Sequence, residues 1–180
     1  MPDDVSLMWV DHDLGPATKV LPAAGALAGT YQHLIYCDDD WLMPPHWAAT
    51  LLAVQRSKEA VACTGYNVCR LGRTSKTSSE MVDIAQGFSG VLVNPAWLAG
   101  NDLAPPEPAW SVDDIWLSGQ LAQQGIQIRL APEARHNLRL AYADEHSLQD
   151  RLIPGLDRDS ANRACADLLY EEFGIWPTRV

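Results

Sequence analysis

LIYCDDDWLM, residues 34–43, runs from a short apolar stretch into three consecutive aspartates. Like charges side by side repel, so the run is either a hydrated turn or a place where a cation sits. Alternate side chains of an extended segment point the same way. Asp38 and Asp40 would then face one ligand together, with Asp39 turned aside. Two such carboxylates suit a hard divalent cation, Mg²⁺ or Mn²⁺, and that cation would also grip a diphosphate.

The flanking residues decide between the two readings. VSLMWV (5–10) reads as a buried strand, which DHDLGP breaks at Gly15 and Pro16. ATKVLPAAGALAG reads as a helix bent at Pro22, and HLIYC (33–37) as a second apolar strand. Strand, helix and strand predict a right-handed crossover to a parallel neighbour. The aspartates then fall beyond the carboxyl end of a strand, where open α/β sheets bind ligands. That placement favours the cation site over the hydrated turn.

Downstream, Pro44 and Pro45 open a helix to Ser57, with Trp47, Leu51 and Val54 on one face. VACTGYNV (61–68) is strand-like, and the polar segment from Arg70 to Glu80 reads as a mobile loop. GFSGVLVNPAWL (87–98) predicts a strand and a short helix from Pro95. DLAPPEPAW (102–110) predicts a loop. SVDDIWLSGQLAQQG (111–125) predicts a helix capped by Ser111 and ended by Gly125. Ile126, Ile128 and Leu130 alternate on the strand that follows. A last helix runs from Ser160 to Phe173, stopped by Gly174. The 142–160 stretch is the expected loose segment, and about 142–180 forms a helical C-terminal extension.

The 180 residues fit a single domain with a real core. Hydrophobic residues make up 47% and charged residues 20%, which is a globular composition. A net charge of -10 without a basic cluster argues against nucleic-acid binding. Cys37, Cys63, Cys69 and Cys165 form no CxxC pair, so buried free thiols in a reducing compartment are expected. No apolar run reaches membrane-span length, and no signal-peptide pattern opens the chain. The cytoplasm is the expected location. Seven tryptophans stand against two phenylalanines; each packs in the core or stacks on a ligand ring.

Four further groups carry candidate chemistry. Asp113 and Asp114 open a helix, where Ser111 and Asp114 make a capping-box pattern. One of the two carboxylates also suits a general base facing a cleft. In DLGPATK (13–19), Lys19 suits a phosphate, Asp13 a hydroxyl, and Gly15 close approach of backbone to a ligand. The alternative is a strand-to-helix turn with a surface lysine. Gly87, Phe88, Ser89 and Gly90 form a small-residue strand edge, which is a binding edge or tight packing. His136 and His146 are candidate metal ligands. GxGxxG, GxxxxGK[ST] and GxSxG are absent.

LIYCDDDW resembles the DxD region of GT-A glycosyltransferases of the family-2-like group. VDDIWLSGQLAQQGI resembles their later acidic motif, usually Glu-Asp, at a helix start. DLGPATKVLPA ahead of DDD resembles a bacterial subgroup with a GPATK-type segment. The resemblance runs from about Val5 to Leu130. It implies a single GT-A-like domain over 1–180, with a mostly parallel sheet flanked by helices. It also implies a nucleotide-sugar donor, a carbohydrate or other hydroxyl acceptor, and Mn²⁺ or Mg²⁺. Asp38, Asp39 and Asp40 would lie at the donor with Lys19, Asp13 and Gly15. Asp38 and Asp40 would hold the metal, with His136 as third ligand. Asp114 would be the base with Asp113 beside it, in an inverting displacement. Gly87, Phe88, Ser89 and Gly90 would line the acceptor, where Trp116 or Trp110 would stack on a sugar. The chain starts at what resembles the family's third strand. The resemblance then leaves two expectations: a homodimer or partner chain completes the nucleotide pocket, or that pocket is lost. Rival readings are a non-catalytic GT-A remnant that binds metal, sugar or a partner, and a metal-dependent phosphoesterase or nucleotidyltransferase.

Overall fold

Strand β1 (Leu34–Tyr36) ends immediately before Cys37 and the aspartates. It follows a 3₁₀ turn, Gly15–Lys19, and helix α1 (Leu21–Leu27). After it come β2 (Trp41–Leu42), α2 (Trp47–Val54), β3 (Glu59–Ala62) and β4 (Gly65–Tyr66). Then follow β5 (Met81–Val82), β6 (Ile84–Ala85), β7 (Val91–Val93) and α3 (Asp113–Gln123). The chain closes with β8 (Gln127–Leu130), β9 (Arg139–Leu140) and α4 (Arg158–Phe173). This computed structural model describes residues 5–100, 103–142 and 157–179. His146 and most of the 142–160 segment lie outside the described residues.

Among the described residues the main sheet has five strands in the order β1-β7-β3-β8-β5. Only β3 and β8 pair in parallel; β1–β7, β7–β3 and β8–β5 are antiparallel. The expected mostly parallel sheet is therefore a mixed α/β sheet. β1, β3 and β8 share one direction. The difference comes from β7, which enters from the Asp38 end through the 87–89 turn and slots between β1 and β3 in the opposite sense.

The expected strand at 5–10 does not form. Leu7, Met8 and Trp9 are exposed, Trp9 to 89%. The residues have strand composition, but a strand is stable only against a neighbour. Among the described residues nothing pairs with β1 on its outer side. The predicted strand-helix-strand crossover falls with it. Pro22 lies in the first turn of α1 rather than at a bend, where its missing N–H costs nothing.

Alternation along the strands divides the core. Val61, Cys63 and Leu92 face α2 through Leu51, with Trp47 packed alongside. Ala60, Ala62, Tyr36, Val91, Val93 and Ile128 face α1 and α3, meeting Leu21, Ala24, Leu117 and Leu121. α4 packs on the outside of α3 through Ala161, Cys165 and Leu169. It begins where Asp157 accepts the Ser160 N–H at 2.7 Å and ends at Gly174, φ +67°.

Two expectations about polar residues are corrected. The 70–80 segment is anchored, because Arg73 is buried. Its guanidinium pairs with Asp167, donates to the Trp176 carbonyl and lies over the Tyr170 ring. Cys63 and Cys165 are buried as expected, but Cys69 is exposed and Cys37 lies between. Burial pushes the Cys63 thiol up to about 11 and Cys165 to about 12. No helix among the described residues is long and apolar enough to cross a membrane.

Gly119 sets the α3–α4 distance, since a Cβ there would come within 2.6 Å of Leu169. Gly119→Ala is expected to lower stability by about 1–3 kcal/mol through overpacking. Urea unfolding measures this, and an unchanged midpoint would contradict the packing described.

Candidate functional site

Four segments meet at the carboxyl end of β1. The Gly15–Lys19 turn brings one of them in, fixed by Ala17 and Val20, both fully buried. Gly15 adopts φ +61°, and a Cβ there would strike the Trp110 carbonyl at 2.6 Å. Asp13 spends one oxygen on the Gly15 N–H, at 2.8 Å. This is a local turn bond, and Asp13 is exposed.

Lys19 lies inside the cluster. Its Nζ is 2.5 Å from Asp38 Oδ1 and 3.0 Å from Asp113 Oδ2. Its side chain is 19% exposed. Burial alone would lower the Lys19 pKa; the charges of Asp113 and Asp38 reverse this and raise it above its ordinary value. Asp113 Oδ2 is buried and has no aligned hydrogen bond, so its tie to Lys19 is ionic.

Asp114 turns the other way and accepts the Gly87 N–H at 2.7 Å. The expected Ser111–Asp114 capping box is absent: Val112 occupies the N-cap, with no side-chain cap. The carboxylate that would have closed the box is drawn across to the 87–89 turn instead. Burial, then the Asp113 charge, push the Asp114 carboxyl up to about 7, while the Gly87 N–H and Lys19 pull against them.

Register brings the 87–90 turn to this point. Tyr36 pairs with Val91, and the Cys63 N–H donates to the Gly90 carbonyl at 3.1 Å. Gly87 lies close against both side chains, since a Cβ would lie 2.9 Å from Lys19 Nζ and 3.1 Å from Asp114 Oδ1. Gly90, at φ +114°, lies under the Trp47 ring, whose Nε1 donates to the Ser89 carbonyl at 2.8 Å. The Ser89 hydroxyl is buried against Thr64 Oγ1 at 2.5 Å. Ser89 and Gly90 therefore support the turn from inside, while Phe88 is half-exposed.

Of the tryptophans expected at the acceptor, Trp116 is withdrawn. It is 3% exposed, on the buried face of α3, and donates Nε1 to the Leu103 carbonyl at 2.8 Å. Trp110 stays at the surface over Gly15. The sequence reading missed Trp41, whose ring lies 5.0 Å from that of Phe88, tilted by 42°. Its position directly after the aspartates was the available signal. Tyr36 was also missed. It is buried, and burial and the charges of Asp114, Asp113 and Asp38 raise its pKa.

Asp39 and Asp40 are exposed, and the Asp40 carbonyl accepts the Ala141 N–H at 2.7 Å beside the β2–β9 pair. His136 is exposed and pairs with Glu133 at 3.1 Å. Among the described residues, no three His, Cys, Asp or Glu side chains converge on a metal position. His136 is thus not gathered with Asp38 and Asp40 into a three-ligand site. Oxygen donors are still in place for a hard cation. Asp38 is part-exposed and Asp39 and Asp40 are exposed, and among the described residues Lys19 is the lysine that lies beside Asp38, Asp113 and Asp114. Asp38 and Asp40 are the carboxylates that would hold a divalent ion here.

No family model, no curated protein and no solved structure matches the chain.

The Asp114 shift fixes a pH dependence. Its folded pKa lies above the unfolded value near 4, so its stabilising contribution is complete below about pH 4. It is lost as pH rises to about 7, at up to about 1.4 kcal/mol per pH unit. Asp114→Asn is expected to remove this decline. Urea unfolding of both proteins between pH 4 and 8 measures it. Parallel pH profiles would contradict the shift.

Proposed function

We propose that the chain is a glycosyltransferase of GT-A type, moving a sugar from a nucleotide-diphosphate sugar to an acceptor hydroxyl. The observation that carries this reading is the meeting of three sequence-distant motifs around one titratable carboxylate. DDD arrives on β1, GFSG on the 87–89 turn and DD on α3, and they are tied by Lys19 and by the Gly87–Asp114 bond.

Asp114 serves as general base. A carboxyl near neutral pKa can take a proton from a hydroxyl and is unprotonated in much of its population at physiological pH. The acceptor O–H proton passes to Asp114, and the acceptor oxygen attacks the anomeric carbon. The bond from that carbon to the diphosphate oxygen breaks, and the nucleoside diphosphate leaves with the electron pair. One in-line displacement inverts the anomeric centre. When bound at Asp38 and Asp40, a divalent cation supplies the positive charge that offsets the diphosphate. Phe88, Trp41 and Trp110 offer apolar faces for the acceptor.

A second reading, a non-catalytic module that binds metal, sugar or a partner, draws on the 5–10 segment. That segment is exposed and forms no strand beside β1. In this reading a second copy or a partner chain covers that edge.

Thermal unfolding with UDP, GDP, CMP and dTDP, with and without Mn²⁺, separates the two. The transferase reading expects one nucleotide to raise Tm only with metal, and Asp38→Ala/Asp40→Ala to abolish the rise. Asp114→Asn should keep the rise and reduce transfer by about 10²–10⁴-fold. No rise with any nucleotide would favour the binding module, and full turnover by Asp114→Asn would overturn the base.

A further inference from the structure

The Lys19 contacts differ from those of a phosphate-binding lysine. A lysine poised for a donor presents its ammonium to the cleft. The Lys19 side chain is only 19% exposed, and its Nζ sits between two carboxylates at 2.5 and 3.0 Å. Asp38 comes from the end of β1 and Asp113 from the first turn of α3. The Asp113 side chain is 9% exposed, and its Oδ2 lacks an aligned hydrogen bond. A carboxylate so enclosed needs a counter-charge, because removing one partner of a buried pair leaves an uncompensated charge.

The surroundings are shaped for an ammonium. The 3₁₀ turn carrying Lys19 is locked by buried Ala17 and Val20. Gly87 leaves open the space the side chain enters, and a Cβ there would come within 2.9 Å of Nζ. The ionisable groups that interact with it are Asp38 and Cys37, just after β1, and Asp113 and Asp114 from α3. None of them is basic. The Gly87 N–H is already given to Asp114.

We infer that Lys19 is a positioning residue: an interior counter-ion that joins the donor-side Asp38 to the base-side Asp113 instead of reaching out to the donor's phosphates. It holds the start of α3 against the end of β1, which fixes where Asp114 stands. The words donor-side and base-side rest on the transferase reading; the ion-pair bridge does not.

The test is a double-mutant cycle in urea, without metal, nucleotide or sugar. It uses the full chain as wild type, Lys19→Met, Asp113→Asn and Lys19→Met/Asp113→Asn. Lys19→Met strands Asp113 and should lower the unfolding midpoint. Adding Asp113→Asn removes the stranded charge, so the double variant should be more stable than Lys19→Met alone. Folding of the double variant where Lys19→Met does not fold carries the same meaning. A Lys19→Met protein as stable as wild type, or purely additive losses, would overturn the bridge and return Lys19 to a phosphate-facing role.

A second measurement needs no unstable variant. The chain has three lysines, and Lys58 and Lys76 are exposed. ¹⁵N NMR of the wild type at neutral pH should show one ammonium protected from solvent exchange, and its shift should move in Asp38→Asn. Three freely exchanging ammonium groups would overturn the inference. A chain that transfers no sugar would give the same cycle and the same protected signal, so the two failures are separable.

Discussion

The Lys19 ammonium, with Asp38 on one side and Asp113 on the other, is the contact on which the arrangement of the site depends. Three carboxylates approach each other at the meeting point of β1 and α3, and without a cation between them they would repel. Lys19 makes the approach tolerable. It also divides the acidic pair on α3. Asp113 is turned to the lysine, and Asp114 is turned to the Gly87 N–H and pushed towards neutral pKa. Two neighbouring aspartates in different surroundings acquire different chemistry.

The sheet supplies the second constraint. β7 lies antiparallel between β1 and β3, with Val91 opposite both Tyr36 and Ala62. That register places the turn before β7 at the end of β1 where the aspartates emerge. Small residues are needed there for separate reasons. Gly87 leaves room for Lys19 and Asp114, and Gly90 takes a left-handed conformation under Trp47. The buried Ser89–Thr64 pair fixes the turn from below. A short apolar strand, a glycine-flanked turn and an acidic helix start are thus parts of one construction.

Much of this was legible in the sequence where the signal is local. β1, α3, β8 and α4 follow from apolar period and from Gly125 and Gly174 as helix stops, both with positive φ. The aspartates at a strand end and the acidic helix start were also readable. What depends on pairing was not. The 5–10 segment has strand composition but finds no ladder, and β7 has the same apolar look whichever way it runs. The capping-box pattern at Ser111 was outcompeted by a long-range bond to Gly87. Trp116 resembles Trp110 in sequence but lies on the buried side of its helix. Lys19 was placed at the site, yet its inward direction depends on Asp113, which lies far along the chain.

The ionisation of Asp114 reports most directly on whether the site encloses it. ¹³C NMR of the aspartate carboxyl groups, assigned through Asp114→Asn, follows that titration in the folded protein. An enclosed Asp114 is expected to titrate with a midpoint of about 7. A midpoint near the ordinary aspartate value of about 4 would mean that the carboxylate is open to water. The enclosed base at the junction of β1, the 87–89 turn and α3 would then not exist.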